Sequence, residues 1–341
     1  MSLGRVEFGG PDLQPRRLRN LLQSYVDASP PGSRIDWMTY YFRDRALAES
    51  LMRASDRGVA VQLVLEEHPR QPRANDAVIA MLRQHGLGGG LHVSSSRGGR
   101  GEKGHIHAKI YAFSHPDIGW IGSFNPSGDE PEDPDVIAEI GDQDRGHNLL
   151  IGIERPKLTR ALRGMVDRMA TIESKWLRYM SWLPATDGDT RLYFYPRLRN
   201  LVVEPTIALL GRGAHIRGAI SHLKKGPLTW ALARCARRGG KVDLLVHDTT
   251  RRVSEKAIQI LSEAGAAVRR VADPNDLPMH AKFLLIEGGG RRTSWVGSYN
   301  FNDKSRFDNV ELLVGTGDAN LFDALAGRFT QIKTMAATTA A

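Results

Sequence analysis

His107-Ala108-Lys109 opens the apolar run Ile110-Tyr111-Ala112-Phe113, and Gly122-Ser123-Phe124-Asn125 follows it. Much later His280-Ala281-Lys282 opens Phe283-Leu284-Leu285-Ile286, and Gly297-Ser298-Tyr299-Asn300 follows that. The two copies lie about half of the 341-residue chain apart and keep the same order, which marks an internal repeat. The flanks repeat as well. A helix-like segment, Arg45 to Arg57, stops at Gly58 before the apolar run Val61 to Leu65; Leu228 to Arg238 stops at Gly239-Gly240 before Val242 to Val246. Further helical segments follow at Asn75 to His85 and Ser254 to Ala264. Strands alternating with helices predict βαβ units, so the fold class is α/β, with mixed sheets flanked by helices. Two similar halves related by a pseudo-twofold axis are expected: residues 1–182 with the first repeat, and residues 183–341 with the second.

Composition agrees with a folded chain: 41% hydrophobic and 25% charged residues. No run reaches the ~18–20 apolar residues that span a bilayer, and Met1 to Pro15 lacks the apolar core of a signal peptide. The expected location is therefore soluble, cytoplasmic or peripheral to a membrane. The single cysteine, Cys235, excludes an intrachain disulfide or a thiolate metal cluster. The balance is basic, 47 Lys and Arg against 38 Asp and Glu, which predicts an anionic partner. Two segments break the symmetry. Gly86 to Gly104 reads as a mobile Gly/Ser loop. Residues 126–146 form an insertion in which Asp129 to Asp144 carries eight acids and no base, expected as a solvated loop. No calcium-loop spacing occurs in it, so no metal is expected there.

Side chains two apart on a strand share a face, so His107 and Lys109 point one way, as do His280 and Lys282. Packed about a twofold axis, the two pairs converge on one cleft with Asn125 and Asn300. Lysines and asparagines suit the non-bridging oxygens of a phosphate. One imidazole can attack phosphorus while the other protonates the leaving oxygen. The lysine charges make a metal or other cofactor unnecessary, and one chain suffices for a complete site.

The paired H-x-K and G-S-x-N strings resemble the phospholipase D superfamily over roughly Arg34 to Gly315, and the second copy extends to Ser305, Asn309 and Glu311. The resemblance implies a covalent phosphohistidine. It makes His107 the nucleophile and His280 the acid and then base. Lys109, Lys282, Asn125 and Asn300 would hold the phosphoryl group, Ser123 and Ser298 would add hydroxyl donors to substrate, and Glu311 would orient a catalytic histidine. Leu150 falls where the first copy should match Glu311, so the partner of His107 is expected either to be missing or to come from Glu139, Asp142 or Asp144. Ser114 and Glu287 stand at the motif's usual Asp. His105 is expected exposed or at the rim, His68 and His247 in the core or at the rim, and the aromatic run Trp37 to Phe42 mainly in the core, with Tyr40 or Tyr41 near substrate.

Three functions fit to different degrees. A phospholipase D or cardiolipin-synthase-like phosphatidyltransferase comes first, a nucleic-acid phosphodiesterase second and a non-catalytic relative last. The lipid reading rests on an apolar rim from Trp120, Trp295, Phe301 and Phe307, and on the amphipathic segment Trp176 to Trp182 for peripheral membrane contact. The nucleic-acid reading rests on the basic clusters, such as Arg251-Arg252, without interleaved aromatics.

Overall fold

In a computed structural model, residues 3–94, 104–128, 134–171, 183–197 and 199–338 are described. The first half runs β1 (Val6–Gly9), α1 (Arg17–Ala28), β2 (Arg34–Thr39), α2 (Arg45–Asp56), β3 (Ala60–Glu66), α3 (Asp76–His85), β4 (Leu91–Ser94), β5 (Ile110–Ser114), β6 (Asp117–Gly122), α4 (Pro134–Ile140), β7 (Asn148–Ile153) and α5 (Pro156–Thr171). The second runs β8 (Ala185–Asp187), β9 (Thr190–Tyr195), α6 (Glu204–Ile207), β10 (His215–Ile220), α7 (Pro227–Arg237), β11 (Lys241–His247), α8 (Glu255–Ser262), β12 (Ala267–Val271), β13 (Lys282–Gly288), β14 (Arg291–Gly297), β15 (Glu311–Thr316) and α9 (Ala319–Thr338).

Local chemistry accounts for the boundaries. Asp44 caps α2 by accepting from Leu47 N–H at 2.8 Å, and Ser254 caps α8 by accepting from Ala257 N–H. Gly86 ends α3 in the left-handed region that a side chain would strain. The strands order as β1-β7-β6-β5-β2-β3-β4 and β12-β11-β10-β13-β14-β15-β9-β8. In both sheets the central sequence matches: β2 pairs parallel with β3 and antiparallel with β5, as β10 does with β11 and β13. The parallel pairs belong to βαβ units; the antiparallel ones dock the hairpins β5–β6 and β13–β14, which carry the motifs, onto them.

The repeats alternate cleanly between two faces. Ile110 and Ala112 of β5, and Phe283 and Leu285 of β13, enter one core shared by both halves. Tyr111 and Phe113 face α1, α2 and α3, while Leu284 and Ile286 face α7 and α8. Helices α5 and α9 contribute Leu162, Met165, Phe322 and Phe329 to the shared core. The two sheets are thus joined by apolar burial, not by a linker alone.

Several expectations change here. The Gly86–Gly104 segment contains an edge strand, β4, because Leu91 to Ser94 pair in parallel with Leu63 to Glu66. The acidic insertion carries helix α4, whose Val136 and Ile140 bury against Tyr40, Tyr41 and Ala74. Charge alone hid these two apolar anchors. Trp120, Trp295 and Phe301 are core residues, at most 4% exposed, so they form no rim; only Phe307 of that group is exposed. Trp176 to Trp182 lies outside the described residues. No helix among the described residues is long and apolar enough to cross a membrane.

Candidate active site

Each histidine is delivered by its own half and pinned by the other. His107 N–H and Ala108 N–H both donate to Val310 O, at 2.9 and 2.8 Å, just before β15 begins. His280 N–H donates to His147 O at 3.0 Å, just before β7 begins. Short parallel bridges, Ile106 with Val310 and His147 with Met279, repeat the same crossing. The crossings bring His107, His280, Asn125 and Asn300 to the wall of one cavity of about 250 Å³.

Behind the histidines the two halves differ. His107 Nδ1 lies 2.9 Å from Glu311 Oε2. That buried carboxylate also accepts from Ser298 Oγ at 2.5 Å, Ser305 Oγ at 2.7 Å and Asn309 Nδ2 at 3.2 Å. Four donors and no competing acceptor hold it ionised, below its ordinary range: burial pushes it up, but the His107 ring and Lys109 outweigh this. An ionised carboxylate only accepts, so Nδ1 of His107 carries the proton and Nε2 keeps its lone pair for the cavity.

His280 Nδ1 lies 2.9 Å from Asn148 Oδ1. The Asn148 amide is fixed by Ser123 Oγ, which donates to Oδ1 at 2.9 Å, and by its own Nδ2, which donates to Gln143 O at 2.7 Å. Asn148 is therefore the counterpart of Glu311. The register proves it: Ser123 N–H donates to Leu149 O and Ser123 Oγ accepts from Leu149 N–H, as Ser298 does with Leu312. Leu150 is a core residue facing Gly122, not the missing partner. The expectation that His107 lacks a carboxylate, or draws one from the insertion, is corrected: Glu311 reaches across from the other half. Asp142 caps Arg145 N–H and Asp144 accepts from Arg16 N–H; the side chain of Glu139 lies outside the described atoms.

Ser123 and Ser298 are placed behind the ring partners, each hydroxyl already donating and accepting, so the expectation that they bind substrate is revised. The motif glycines have a steric reason. A Cβ on Gly122 would sit 2.2 Å from Leu149 O, and one on Gly297 2.2 Å from Leu312 O. Only glycine lets the neighbouring strand approach closely enough to present Asn148 and Glu311.

Lys109 Nζ donates to His107 O at 2.6 Å and Lys282 Nζ to His280 O at 2.7 Å, so each ammonium is tied to its own motif. Burial lowers Lys109 to about 7 and pushes Lys282 well below its ordinary value. Burial is also the main cause that lowers His107, to about 4, against the pull of Glu311, and that lowers His280 well below its ordinary value, reinforced by Lys282 and Arg252. Burial thus disfavours positive charge at this site, and a bound anion offsets that cost.

Around this centre sit residues that motif reading missed. Gln143, from the insertion, accepts from Asn125 Nδ2 at 2.5 Å and holds that amide over the cavity. Tyr40 packs 5.2 Å from the His107 ring and lies under Lys109 Nζ at 5.4 Å. His105 is buried rather than exposed, near Glu66, though it does face the cavity. His68 is exposed, whereas His247 is buried beside Asp248. Among the described residues no group of His, Cys, Asp and Glu is placed to hold a metal ion.

The sequence matches the family model described as cardiolipin synthase, PLD-like domain, over residues 27–130 and 208–333. No curated protein matches it. Among solved structures, phosphatidylserine synthase from Haemophilus influenzae Rd KW20 superposes with a TM-score of 0.67 at 11% identity, covering 97% of this chain and 87% of that one. Polyphosphate kinase from Porphyromonas gingivalis superposes with a TM-score of 0.61 at 14% identity, covering 96% of this chain and 50% of that one. The chain spans half the length of that kinase. At these identities the likeness is one of fold.

Proposed function

The chain belongs to the cardiolipin synthase, PLD-like domain family, and on that premise we propose that it cleaves or transfers a phosphodiester through a covalent phosphohistidine. The observation that carries this reading is the pair His107 and His280, from opposite halves, facing one cavity with Nδ1 of each ring engaged from behind.

His107 is the nucleophile. Its Nε2 lone pair forms the N–P bond as the P–O bond to the leaving group breaks. Positive charge that develops on the ring is met by Glu311. His280 donates its Nε2 proton to the departing oxygen. Its neutral backing amide makes it the weaker base and the better acid of the two. The substrate's own negative charge, set between Lys109 and Lys282, restores the proton that burial had driven off His280. In the second step water or an alcohol gives its proton back to His280 as its oxygen attacks phosphorus and the N–P bond breaks. Asn125 and Asn300 donate to the non-bridging oxygens. Hydrolysis and transfer differ only in which acceptor reaches phosphorus.

The family description supports a phospholipid headgroup as one source of the diester. The test of the reaction class is bis-p-nitrophenyl phosphate in EDTA. We expect p-nitrophenol release by the wild type, and a loss of at least about 10³-fold in His107→Ala and in His280→Ala, since each removes one member of an interdependent pair. Full loss in EDTA restored by a divalent ion, or a variant that retains more than a few percent of the rate, would contradict it.

A further inference from the structure

The cavity that holds the histidines is lined by Arg70, Arg251, Arg252 and Lys304, and by no carboxylate among the described residues. These cations are additional to Lys109 and Lys282, which suffice for the single charge of a diester. Two of them are related by the repeat. Arg70 is the fourth residue past the end of β3 at Glu66, and Arg251 is the fourth past the end of β11 at His247. Both loops are pinned at the arginine itself by a group from the segment after the adjacent parallel strand. Arg70 N–H donates to Tyr40 Oη at 2.5 Å, after β2; Arg251 O accepts from Lys224 Nζ at 2.5 Å, after β10. Both arginine side chains are exposed at the mouth. The repeat that places one histidine in each half thus also places one guanidinium in each half.

We propose that Arg70 and Arg251 form two anion subsites, one on either side of the scissile phosphoryl group, so that the substrate is a diester flanked along a chain by further phosphates: a single-stranded oligonucleotide. This rests on the phosphodiesterase reading and specifies its substrate. A guanidinium holds a phosphate through paired N–H donors, and a chain of evenly spaced phosphates is the ligand that a symmetric pair fits. A phosphatidyl substrate has one diester charge and two acyl chains. The lining offers a single aliphatic side chain, Ile140, and the expected tryptophan rim is buried in the core. Helix α4 contributes that Ile140, and Arg252 Nη2 donates to its carbonyl at 3.1 Å, so the insertion helps shape a polar cleft.

The experiment compares a thymidine dinucleotide, a thymidine tetranucleotide, bis-p-nitrophenyl phosphate and phosphatidylglycerol vesicles as substrates of the whole protein. The wild type should show kcat/KM at least about tenfold higher for the tetranucleotide than for the dinucleotide, because only its central diester has a phosphate on both sides. Arg70→Gln and Arg251→Gln should each reduce the preference for the tetranucleotide over bis-p-nitrophenyl phosphate at least about tenfold, and lower the salt dependence of log KM by roughly 0.7 per arginine. The proposal is overturned if the tetranucleotide is no better than the dinucleotide. It also fails if both substrates lose equally in the variants, or if phosphatidylglycerol is cleaved in preference to either nucleotide. The wild-type length comparison stands even where a variant does not fold. Failure to cleave any of the four substrates would instead remove the phosphodiesterase reading itself.

Discussion

At the scale of single residues, the two histidines are alike in sequence and unlike in setting. His107 is backed by a carboxylate that collects four donors, and His280 by an amide held between Ser123 and Gln143. A carboxylate stabilises an imidazolium; an amide only orients the ring. Glu311→Gln preserves an acceptor for Nδ1–H and most of the donors' partners, but removes the charge. It should lower kcat on bis-p-nitrophenyl phosphate by about 10–100-fold, the range for partners of this kind, with an unaltered far-ultraviolet circular dichroism spectrum. A rate within twofold of wild type would show that the carboxylate does not assist His107. The paired His, Lys and Asn positions were legible in the sequence because they repeat as strings. Asn148 was not, because its match to Glu311 is set by strand register and not by residue type.

At the scale of elements, the decisive contact is between neighbouring strands. β6 must lie close against β7, and β14 against β15, for Asn148 and Glu311 to reach the histidines. Gly122→Ala puts a methyl group 2.2 Å from Leu149 O, a backbone atom that cannot rotate away. The cost should be at least about 3 kcal/mol, read as a fall of several degrees in Tm, together with lost activity as Asn148 is displaced. An unchanged Tm would mean that the strands tolerate separation. The same geometry explains why an alignment by residue type failed at Leu150: the Asn-x-Glu string of the second copy lies around the start of β15, whereas the first copy starts β7 at Asn148 itself. Helix positions flanking Gly58 and Gly239 were readable from caps and periodicity. Edge strand β4 and helix α4 were not, since glycine and acidic composition masked the few apolar residues that anchor them.

At the scale of the whole molecule, one core joins two half-sites, and each catalytic histidine is hydrogen-bonded through its backbone to the other half. The same burial makes the fold sensitive to acid. Burial is the main cause that lowers His107 and His147 to about 4 and His247 to about 3, so all three are neutral in the folded chain where the unfolded chain would bind protons below about 6.5. Their contribution is complete above that value and is lost as pH falls towards 4. Asp36, raised to about 6 by burial, opposes them with one proton that the folded state keeps. His222 and His280, which burial also holds well below 6.5, act in the same direction, so unfolding takes up more than two protons near pH 5 and stability falls by at least roughly 3 kcal/mol per pH unit. Tm should therefore fall steeply between pH 6 and 4.5, as followed by scanning calorimetry; a flat profile would contradict the neutral assignments. Beyond stability, the account stands or falls on the covalent step. Peptide mapping of wild-type protein, quenched in alkali during turnover of bis-p-nitrophenyl phosphate, should find a nitrophenylphosphoryl group on His107 and none on His280. An adduct on His280, or p-nitrophenol release with no adduct on either ring, would contradict it.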